Sequence, residues 1–402
     1  MTSREIVKRA ITFQNPPRLP MKFDIVGVND CYDVWTPDPT GWEWTFKGER
    51  LADEWGCVWG KTSVSNTGQV VEHPLSDITQ LKSYKWPDPD DPRRYKGFAG
   101  QLAGAGDRFV MFCFGQGIWE RLHMLTGMDK AMLAFVRHKD EVHEILDRVL
   151  EHHIRVMRKC HELARAEDLA VSTSATGGRR YPAREKGDRH LAAEAASEKG
   201  DRHLAAGAAR SQSPFSRIDA AAMADDWGAQ DRAFLSLKMF REFFKPRYQK
   251  WFDAIKALGL HTWMHSCGKI NTIVPELIDC GLEVINNQQP NTVGVREFGD
   301  ALRGKICFEA IVDTQHTLPR GTYDEIRQQA RDICQYYGTP AGGLIASDYN
   351  DAEAIGVTTD RRYVMFEAFA EQGGYPNYKE IIERAKRGQV EHGHVFGRAT
   401  EG

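Results

Sequence analysis

The sequence lacks several features that would place it in common protein classes. It has no Cys-x-x-Cys pair, no glycine-rich nucleotide fingerprint after its first predicted strand, and no apolar run long enough to cross a bilayer. Its 53 basic and 56 acidic residues are mixed along most of the chain, so the net charge of −3 gives no electrostatic footprint for nucleic acid. The amino terminus lacks the apolar core of a signal peptide. We therefore expect a cytoplasmic protein that binds neither nucleic acid nor membrane.

Strand and helix patterns alternate along most of the 402 residues. The predicted strands are residues 19–26, 109–114, 218–224, 261–264, 283–286, 306–312 and 343–347. Strands that are each followed by a helix require parallel pairing with right-handed crossovers. A doubly wound open sheet shows the same alternation, but no glycine-rich nucleotide fingerprint follows the first predicted strand, which favours the barrel. The pattern therefore predicts a single-domain (β/α)₈ TIM-type barrel over residues 1–402.

One segment, residues 166–216, breaks this alternation. It is rich in Ala, Arg, Ser and Gly, and the nine residues from Glu185 to Ala193 recur from Glu198 to Ala206. Two copies of a short polar unit are too few for a solenoid, which needs about three or more. We predict a low-complexity, mobile surface insertion without chemistry of its own. The pair His152-His153, on the long helix before it, is interpreted as two ordinary surface residues.

The residues that follow the predicted strands form the candidate site, because barrels of this type place their active site at the carboxyl ends of the strands. They are acids, amides, an imidazole and a thiol rather than ordinary loop lysines and glutamates. The candidates are Asp24, Asp225, Asp226, Trp227, His265, Cys267, Gln289, Asp313, Gln315 and Asp348. Polar loops are common on any surface, so it is the residue types that favour a functional site.

His265-Ser266-Cys267-Gly268 carries the sharpest signal. On an extended strand end, residues two apart point the same way, so an imidazole and a thiolate could bind one Zn²⁺ ion. A catalytic zinc takes three protein ligands, and the candidates for the third are Asp348, Glu309 and Gln289. The alternative is a histidine and a cysteine that pack in a polar pocket without a metal.

Two adjacent acids, Asp225 and Asp226, end the strand after the insertion. Neighbouring residues on a strand face opposite ways, so one should enter the site as a general base or hydrogen-bond acceptor while the other caps the loop. Trp227 is a candidate to stack on a ligand ring, although core aromatics are commoner. Four further residues are assigned to substrate binding or to turns: Asp24, Gln289, Asp313 and Gln315.

Several stretches together resemble the uroporphyrinogen decarboxylase superfamily, over nearly the whole chain outside the insertion. They are Arg4–Phe13 with Pro17-Arg18-Leu19-Pro20, Asp53-Glu54-Trp55-Gly56, Asp225-Asp226-Trp227-Gly228, Phe243–Tyr248, His265-Ser266-Cys267-Gly268 and Gly342–Ile345. In the decarboxylases of this superfamily, an arginine-rich segment after the first strand binds a substrate with many carboxylates. Met21–Gly27 holds no arginine, which counts against the porphyrin reaction.

The corrinoid-linked methyltransferases of the superfamily have a zinc-binding His-x-Cys where this chain has His265 and Cys267. Their zinc activates a thiol, and further ligands come from later strands, where this chain has Gln289 and Asp348. The resemblance implies an enzyme that moves a methyl group between a small methylated compound, such as a methoxylated compound or a methylamine, and a corrinoid carried by a partner protein. A decarboxylase of porphyrin biosynthesis and a non-catalytic ligand-binding barrel are the alternatives.

Overall fold

The computed structural model describes residues 1–43, 48, 50–61, 68–175, 217–349 and 351–390. Its strands, in chain order, are β1 (Met21–Phe23), β2 (Val28–Asn29), β3 (Cys31–Val34), β4 (Arg50–Ala52), β5 (Val58–Gly60), β6 (Gln69–Glu72), β7 (Phe109–Gln116), β8 (Ala220–Ala224), β9 (His261–His265), β10 (Val284–Asn287), β11 (Cys307–Ala310) and β12 (Leu344–Ser347).

The main sheet closes on itself as a barrel. Its strand order is β2-β1-β12-β11-β10-β9-β8-β7-β3, and neighbours pair in parallel except for β1 with β2. The terminal strands β2 and β3 are separated in sequence by Asp30 alone, so the two edges meet. The Asp30 carboxylate accepts hydrogen bonds from Met21 N at 2.8 Å and from the Arg18 guanidinium at 2.6 Å, which stabilises this junction. The predicted (β/α)₈ TIM-type barrel is confirmed.

Helices and helical turns connect the strands. The α-helices are Ser3–Ile11, Pro92–Tyr95, Phe98–Leu102, Ile118–Thr126, Met128–Arg137, Lys139–Ala175, Leu237–Met239, Lys245–Ala257, Val274–Cys280, Pro290–Val293, Val295–Leu302, Thr317–Arg320, Tyr323–Tyr337, Thr359–Gln372 and Tyr378–Lys386. Shorter 3₁₀ turns are Asp24–Val26, Ile78–Ser83, Ala103–Ala105 and Ala352–Ile355, and Phe240–Phe244 is a π-helical turn. No helix in the described ranges is both long and apolar enough to cross a membrane.

The long helix Lys139–Ala175 runs into the segment that we predict to be an insertion. The rest of that segment, residues 176–216 with its repeat, lies outside the described residues. The insertion therefore stays a prediction.

The interior of the barrel is filled by side chains that alternate along the strands. A buried cluster joins the helix Ser3–Ile11, which covers one end, to inward residues of the strands: Val7, Ala10, Ile11, Cys31, Phe109, Met111, Ala220, Ala222, Trp263, Val284, Cys307 and Ile345. Because strand side chains alternate between faces, the residues two positions further along each strand also point inward, nearer the carboxyl end. This second layer is where the fold places the site.

His152 and His153 contradict the prediction that they lie on the surface. They are 7% and 5% exposed, and the His153 ring stacks on Trp251 with 5.2 Å between ring centroids. His152 packs against Trp55, which comes from the segment that carries β4 and β5, at 4.7 Å. The helix is therefore covered on two sides, which its one apolar stripe did not indicate. Burial lowers the pKa of His153 to about 3 and also holds that of His152 well below its usual value.

This burial predicts acid sensitivity. Unfolded histidines bind protons near their ordinary pKa of about 6.5, while folded His153 does not, so stability falls as the pH drops below about 6.5. A His153→Phe variant retains the ring contact with Trp251 and removes this titration. Between pH 6.5 and pH 5 it should lose about 2 kcal/mol less unfolding free energy than the wild type. Urea unfolding at the two pH values measures the loss, and the exposed His316→Gln is the control variant. An equal loss of unfolding free energy in the wild type and in His153→Phe would disprove the prediction.

Candidate metal and active site

The second inward layer of the barrel is polar. Interiors of such barrels are ordinarily filled by branched aliphatic residues, but here the positions two residues beyond the buried cluster carry a thiol, an imidazole, an amide, a hydroxyl and two acids. With Lys22 of β1 and Ala224 of β8, the layer comprises Lys22, Asp33, Cys113, Ala224, His265, Asn286, Glu309 and Ser347. Polar residues thus take the place of aliphatic core residues at the carboxyl end of the barrel, as expected for a functional site.

Three potential metal ligands, His265 of this layer with Asp226 and Cys267, converge at the carboxyl end of the barrel. The Nε2 atom of His265 lies 3.4 Å from Cys267 Sγ and 3.5 Å from Asp226 Oδ1. One ligand atom from each of the three residues lies within 4.8 Å of the other two. Tetrahedral zinc with bonds of about 2.0–2.3 Å separates its ligand atoms by about 3.3–3.8 Å. Two of the three separations therefore lie in the range that one zinc ion requires, and the third is within 4.8 Å.

Two glycines bring the loop of Asp226 and the loop of Cys267 together. A Cβ atom on Gly268, whose φ is +81°, would lie 1.9 Å from the carbonyl oxygen of Gly228, and one on Gly228 would lie 2.4 Å from Lys269 N. No side chain fits at either position, so the two backbones pack directly on each other. Asp226 Oδ1 then accepts a 2.7 Å hydrogen bond from Cys267 N, which fixes the carboxylate beside the thiol.

Asp225 points the opposite way from Asp226. It is fully buried, and its carboxylate accepts hydrogen bonds from Trp119 N at 3.1 Å, Glu120 N at 2.7 Å and the Tyr248 hydroxyl. The two amides belong to the first turn of the helix Ile118–Thr126, so Asp225 caps that helix. Burial raises its pKa to about 7. The structure thus places Asp226 at the site and Asp225 in the support behind it.

The electrostatics of the site favour a charged imidazole in the absence of a metal. Burial opposes that charge, but Cys267 and then Asp226 outweigh it and raise the pKa of His265 well above its usual value. Glu120, half-buried on the helix that Asp225 caps, is a further acid here that the sequence analysis did not select. Burial and the neighbouring carboxylates of Asp226 and Asp225 raise the pKa of Glu120 well above its usual range.

The other candidate ligands are engaged elsewhere. Asp348 receives the Arg362 guanidinium, whose Nε lies 3.0 Å from both carboxylate oxygens, and it does not join the group of three. Glu309 accepts a hydrogen bond from Trp263 Nε1 at 2.8 Å and pairs with Lys22 Nζ at 2.9 Å. Although burial disfavours the ammonium, Glu309 holds the pKa of Lys22 well above its usual range. Asp226, rather than Asp348, is therefore the third candidate ligand in this structure.

Trp227 does not face a ligand. It has no exposed surface, its ring stacks on Trp119 with 5.6 Å between centroids, and its Nε1 donates to the Tyr248 hydroxyl at 3.0 Å. The stacking role proposed from the sequence is wrong because this side chain is core.

The four predicted substrate contacts differ in position. Gln289 Oε1 accepts a hydrogen bond from Gly268 N at 3.0 Å and so supports the Cys267 loop. Asp313 is fully buried and accepts from three successive backbone amides, including His316 N at 2.7 Å. Gln315 is exposed and bonded to Thr292, and Asp24 accepts from the Asn29 side chain at 3.0 and 3.1 Å. Gln289 alone of these four directly contacts the Cys267 loop.

Fold and site together define a class: a (β/α)₈ barrel with a nitrogen, sulfur and oxygen ligand group at the carboxyl ends of its strands. Within that class, residues 218–347 match the model of the uroporphyrinogen decarboxylase (URO-D) family. This segment contains both the Asp226 loop and the Cys267 loop. The resemblance to the uroporphyrinogen decarboxylase superfamily is confirmed over these residues.

Two relatives and one solved structure similar to the chain are methyltransferases. Methylcobamide:CoM methyltransferase MtaA from Methanosarcina barkeri is 29% identical over 119 residues, and the protein of that name from strain Fusaro is 27% identical over 114 residues. Each match covers 28% of this chain, and the chain spans about a third, 32%, of each relative. The structure of a methyltransferase from Methanosarcina mazei matches over 92% of this chain and 99% of its own, with 15% identity and a TM-score of 0.58. That structure shows the same fold.

Proposed function

We propose that this protein is a methyltransferase that moves a methyl group between a small methylated compound and a corrinoid carried by a partner protein. The observation that carries the proposal is the convergence of Asp226, His265 and Cys267 on one point at the barrel mouth. The partial similarity to methylcobamide-dependent methyltransferases supports the corrinoid as the second substrate. The corrinoid and its carrier protein are the partners that this reaction requires.

The donor set fits zinc. An imidazole nitrogen, a thiolate and a carboxylate oxygen are three protein ligands, which is the number at catalytic zinc sites that keep a position open for substrate. Zinc bound there would keep the Cys267 sulfur deprotonated and hold a substrate thiol as its thiolate. Asp226 is held toward the site by the Cys267 amide, so its carboxylate is oriented before any ligand arrives.

The reaction also requires transfer of the thiol proton and of the methyl group, near Asp226, His265 and Cys267. As the thiol S–H bond breaks, a carboxylate beside the site must take the proton, and Glu120, which neighbours Asp226 and Asp225, is the candidate. The substrate sulfur then bonds to the methyl carbon while the carbon–cobalt bond of the corrinoid breaks. Both electrons of that bond stay with the corrinoid. In the reverse direction, the carbon–sulfur bond of a methyl thioether breaks, the methyl carbon bonds to the reduced corrinoid, and a proton returns to the released sulfur.

The two alternatives have less support. A decarboxylase acting on a polycarboxylate needs cations that are free to bind carboxylates, and Lys22, at the place of the family's arginine-rich segment, is paired with Glu309. A non-catalytic barrel would need no group of potential metal ligands, whereas Asp226, His265 and Cys267 offer three ligand atoms within 4.8 Å of one another. Incubation with uroporphyrinogen under anaerobic, reducing conditions should therefore release no CO₂.

A direct assay combines the zinc-loaded protein, a methylcobamide-bearing corrinoid protein and a small thiol, and follows demethylation from the corrinoid absorbance. A Cys267→Ser variant should be slower by at least about 100-fold, because a catalytic metal supplies several kcal/mol. Cys334→Ser, a partly exposed cysteine on the helix Tyr323–Tyr337, is the matched control and should react like the wild type. Full activity of the Cys267 variant would refute the mechanism.

A further inference from the structure

The His265 ring has a partner on each of its two nitrogens. Nε2 faces Cys267 Sγ and Asp226 Oδ1, at 3.4 and 3.5 Å. Nδ1 faces away from that group and lies 2.5 Å from Oδ1 of Asn286, on the neighbouring strand β10. His265 and Asn286 are direct partners in the parallel register of β9 and β10, so the two side chains leave the barrel wall side by side. The contact is therefore built into the sheet.

The orientation of the Asn286 amide is fixed by its other end. Its Nδ2 donates to the backbone carbonyl oxygen of Glu309, at 3.2 Å, on the next strand of the barrel. If the amide were reversed, its oxygen would face the carbonyl oxygen of Glu309, and its NH₂ group would face Nδ1 of His265. Asn286 is 5% exposed, so few other partners can reach it. The oxygen therefore faces His265.

An amide oxygen only accepts hydrogen bonds, so the proton of the contact belongs to His265 Nδ1. We infer that Asn286 is a positioning residue that holds His265 with a proton on Nδ1 and with Nε2 aimed at Asp226 and Cys267. A neutral imidazole in this tautomer presents its lone pair at Nε2, the one nitrogen that faces the proposed metal position. The consequence for metal binding rests on the proposed function, whereas the tautomer follows from the contacts of Asn286 alone.

The residue type explains why asparagine stands at this position. Aspartate would accept the Nδ1 proton as well, but its second oxygen would oppose the Glu309 carbonyl, and it would add a negative charge beside the Glu309 carboxylate in the same layer. Leucine has a similar size and offers neither a donor nor an acceptor. Asn286→Leu therefore removes the hydrogen-bond acceptor of His265 Nδ1, whereas Asn286→Asp preserves it.

The first test is ¹⁵N NMR of the metal-free protein labelled at histidine, recorded at an alkaline pH where the His265 ring is neutral, with the His265 signals assigned by comparison with His265→Gln. The wild type and Asn286→Asp should show a proton on Nδ1. In Asn286→Leu, or in Asn286→Ala if leucine prevents folding, the proton should redistribute between the two ring nitrogens. A wild-type His265 whose Nδ1 carries no proton would overturn the inference without any variant.

The second test is zinc affinity, measured by competition with a chelator. Loss of the partner of a metal-binding histidine typically costs about 10–100-fold in affinity, which is the decrease expected for Asn286→Leu. Asn271→Leu is the control, because Asn271 donates to the Val293 carbonyl oxygen at 2.9 Å and is not one of the three candidate ligands. Unchanged affinity and an unchanged His265 spectrum in Asn286→Leu would refute the role. If the wild type itself binds no zinc, the proposed function fails, while the NMR comparison still decides on Asn286.

Discussion

Asp226→Asn should lower zinc affinity by at least about 100-fold, because it removes a charged ligand from a site where loss of an indirect partner typically costs about 10–100-fold. The amide oxygen of the variant can still accept the hydrogen bond from Cys267 N, so the loop itself should keep its shape. Chelator competition measures the affinity, and circular dichroism checks the fold.

Asp348→Asn is the matched control for this prediction. Asp348 is buried and paired with Arg362, and the structure places it outside the group of three ligands. Its replacement should affect stability but leave zinc affinity within about twofold, inside the ordinary scatter for a residue that is not a ligand. If Asp348→Asn loses zinc while Asp226→Asn retains it, the third ligand is the one first proposed from the sequence.

Gly268→Ala should disrupt the site and destabilise the protein. Left-handed backbone costs a residue with a Cβ about 1–2 kcal/mol, and the new methyl group would overlap the Gly228 carbonyl oxygen at 1.9 Å. The Cys267 loop must move away from the Asp226 loop to relieve that overlap. We therefore expect a loss of more than about 2 kcal/mol in unfolding free energy together with loss of zinc binding.

Gly259→Ala is the control that separates the cost of the left-handed backbone from the cost of the methyl overlap. Gly259 also has a positive φ, +77°, but nothing lies within 4 Å of its virtual Cβ. It should lose about 1 kcal/mol and keep its zinc affinity. Urea unfolding and chelator competition on both variants give the comparison. Equal stability losses in the two variants would show that close packing of the Gly228 and Gly268 backbones is not what holds the site.

The barrel was predictable because its periodicity is local. Long apolar strands such as Phe109–Gln116 and helices with clear caps, such as Tyr323–Tyr337 with its Thr322 capping box, can be read from neighbouring residues. Cys31–Val34 was missed because it is four residues long and no helix separates it from the first strand. Its assignment depends on pairing with a strand far along the chain.

The site was predictable in part for the same reason. His265 and Cys267 follow from spacing along one strand, and the opposed directions of Asp225 and Asp226 follow from alternation. The identity of the third candidate ligand depends on the contact between the Gly228 and Gly268 loops, which no local pattern contains. Asn286 could have been found from alternation along its own strand, because it lies two residues after the inward-facing Val284.

X-ray absorption of the zinc-loaded wild type tests the central claim most directly. With Asp226, His265 and Cys267 as ligands, the spectrum should show one sulfur at about 2.3 Å and nitrogen or oxygen neighbours at about 2.0–2.2 Å, at one zinc per chain. A protein that takes up no zinc, or a bound zinc without a sulfur neighbour, would contradict the account.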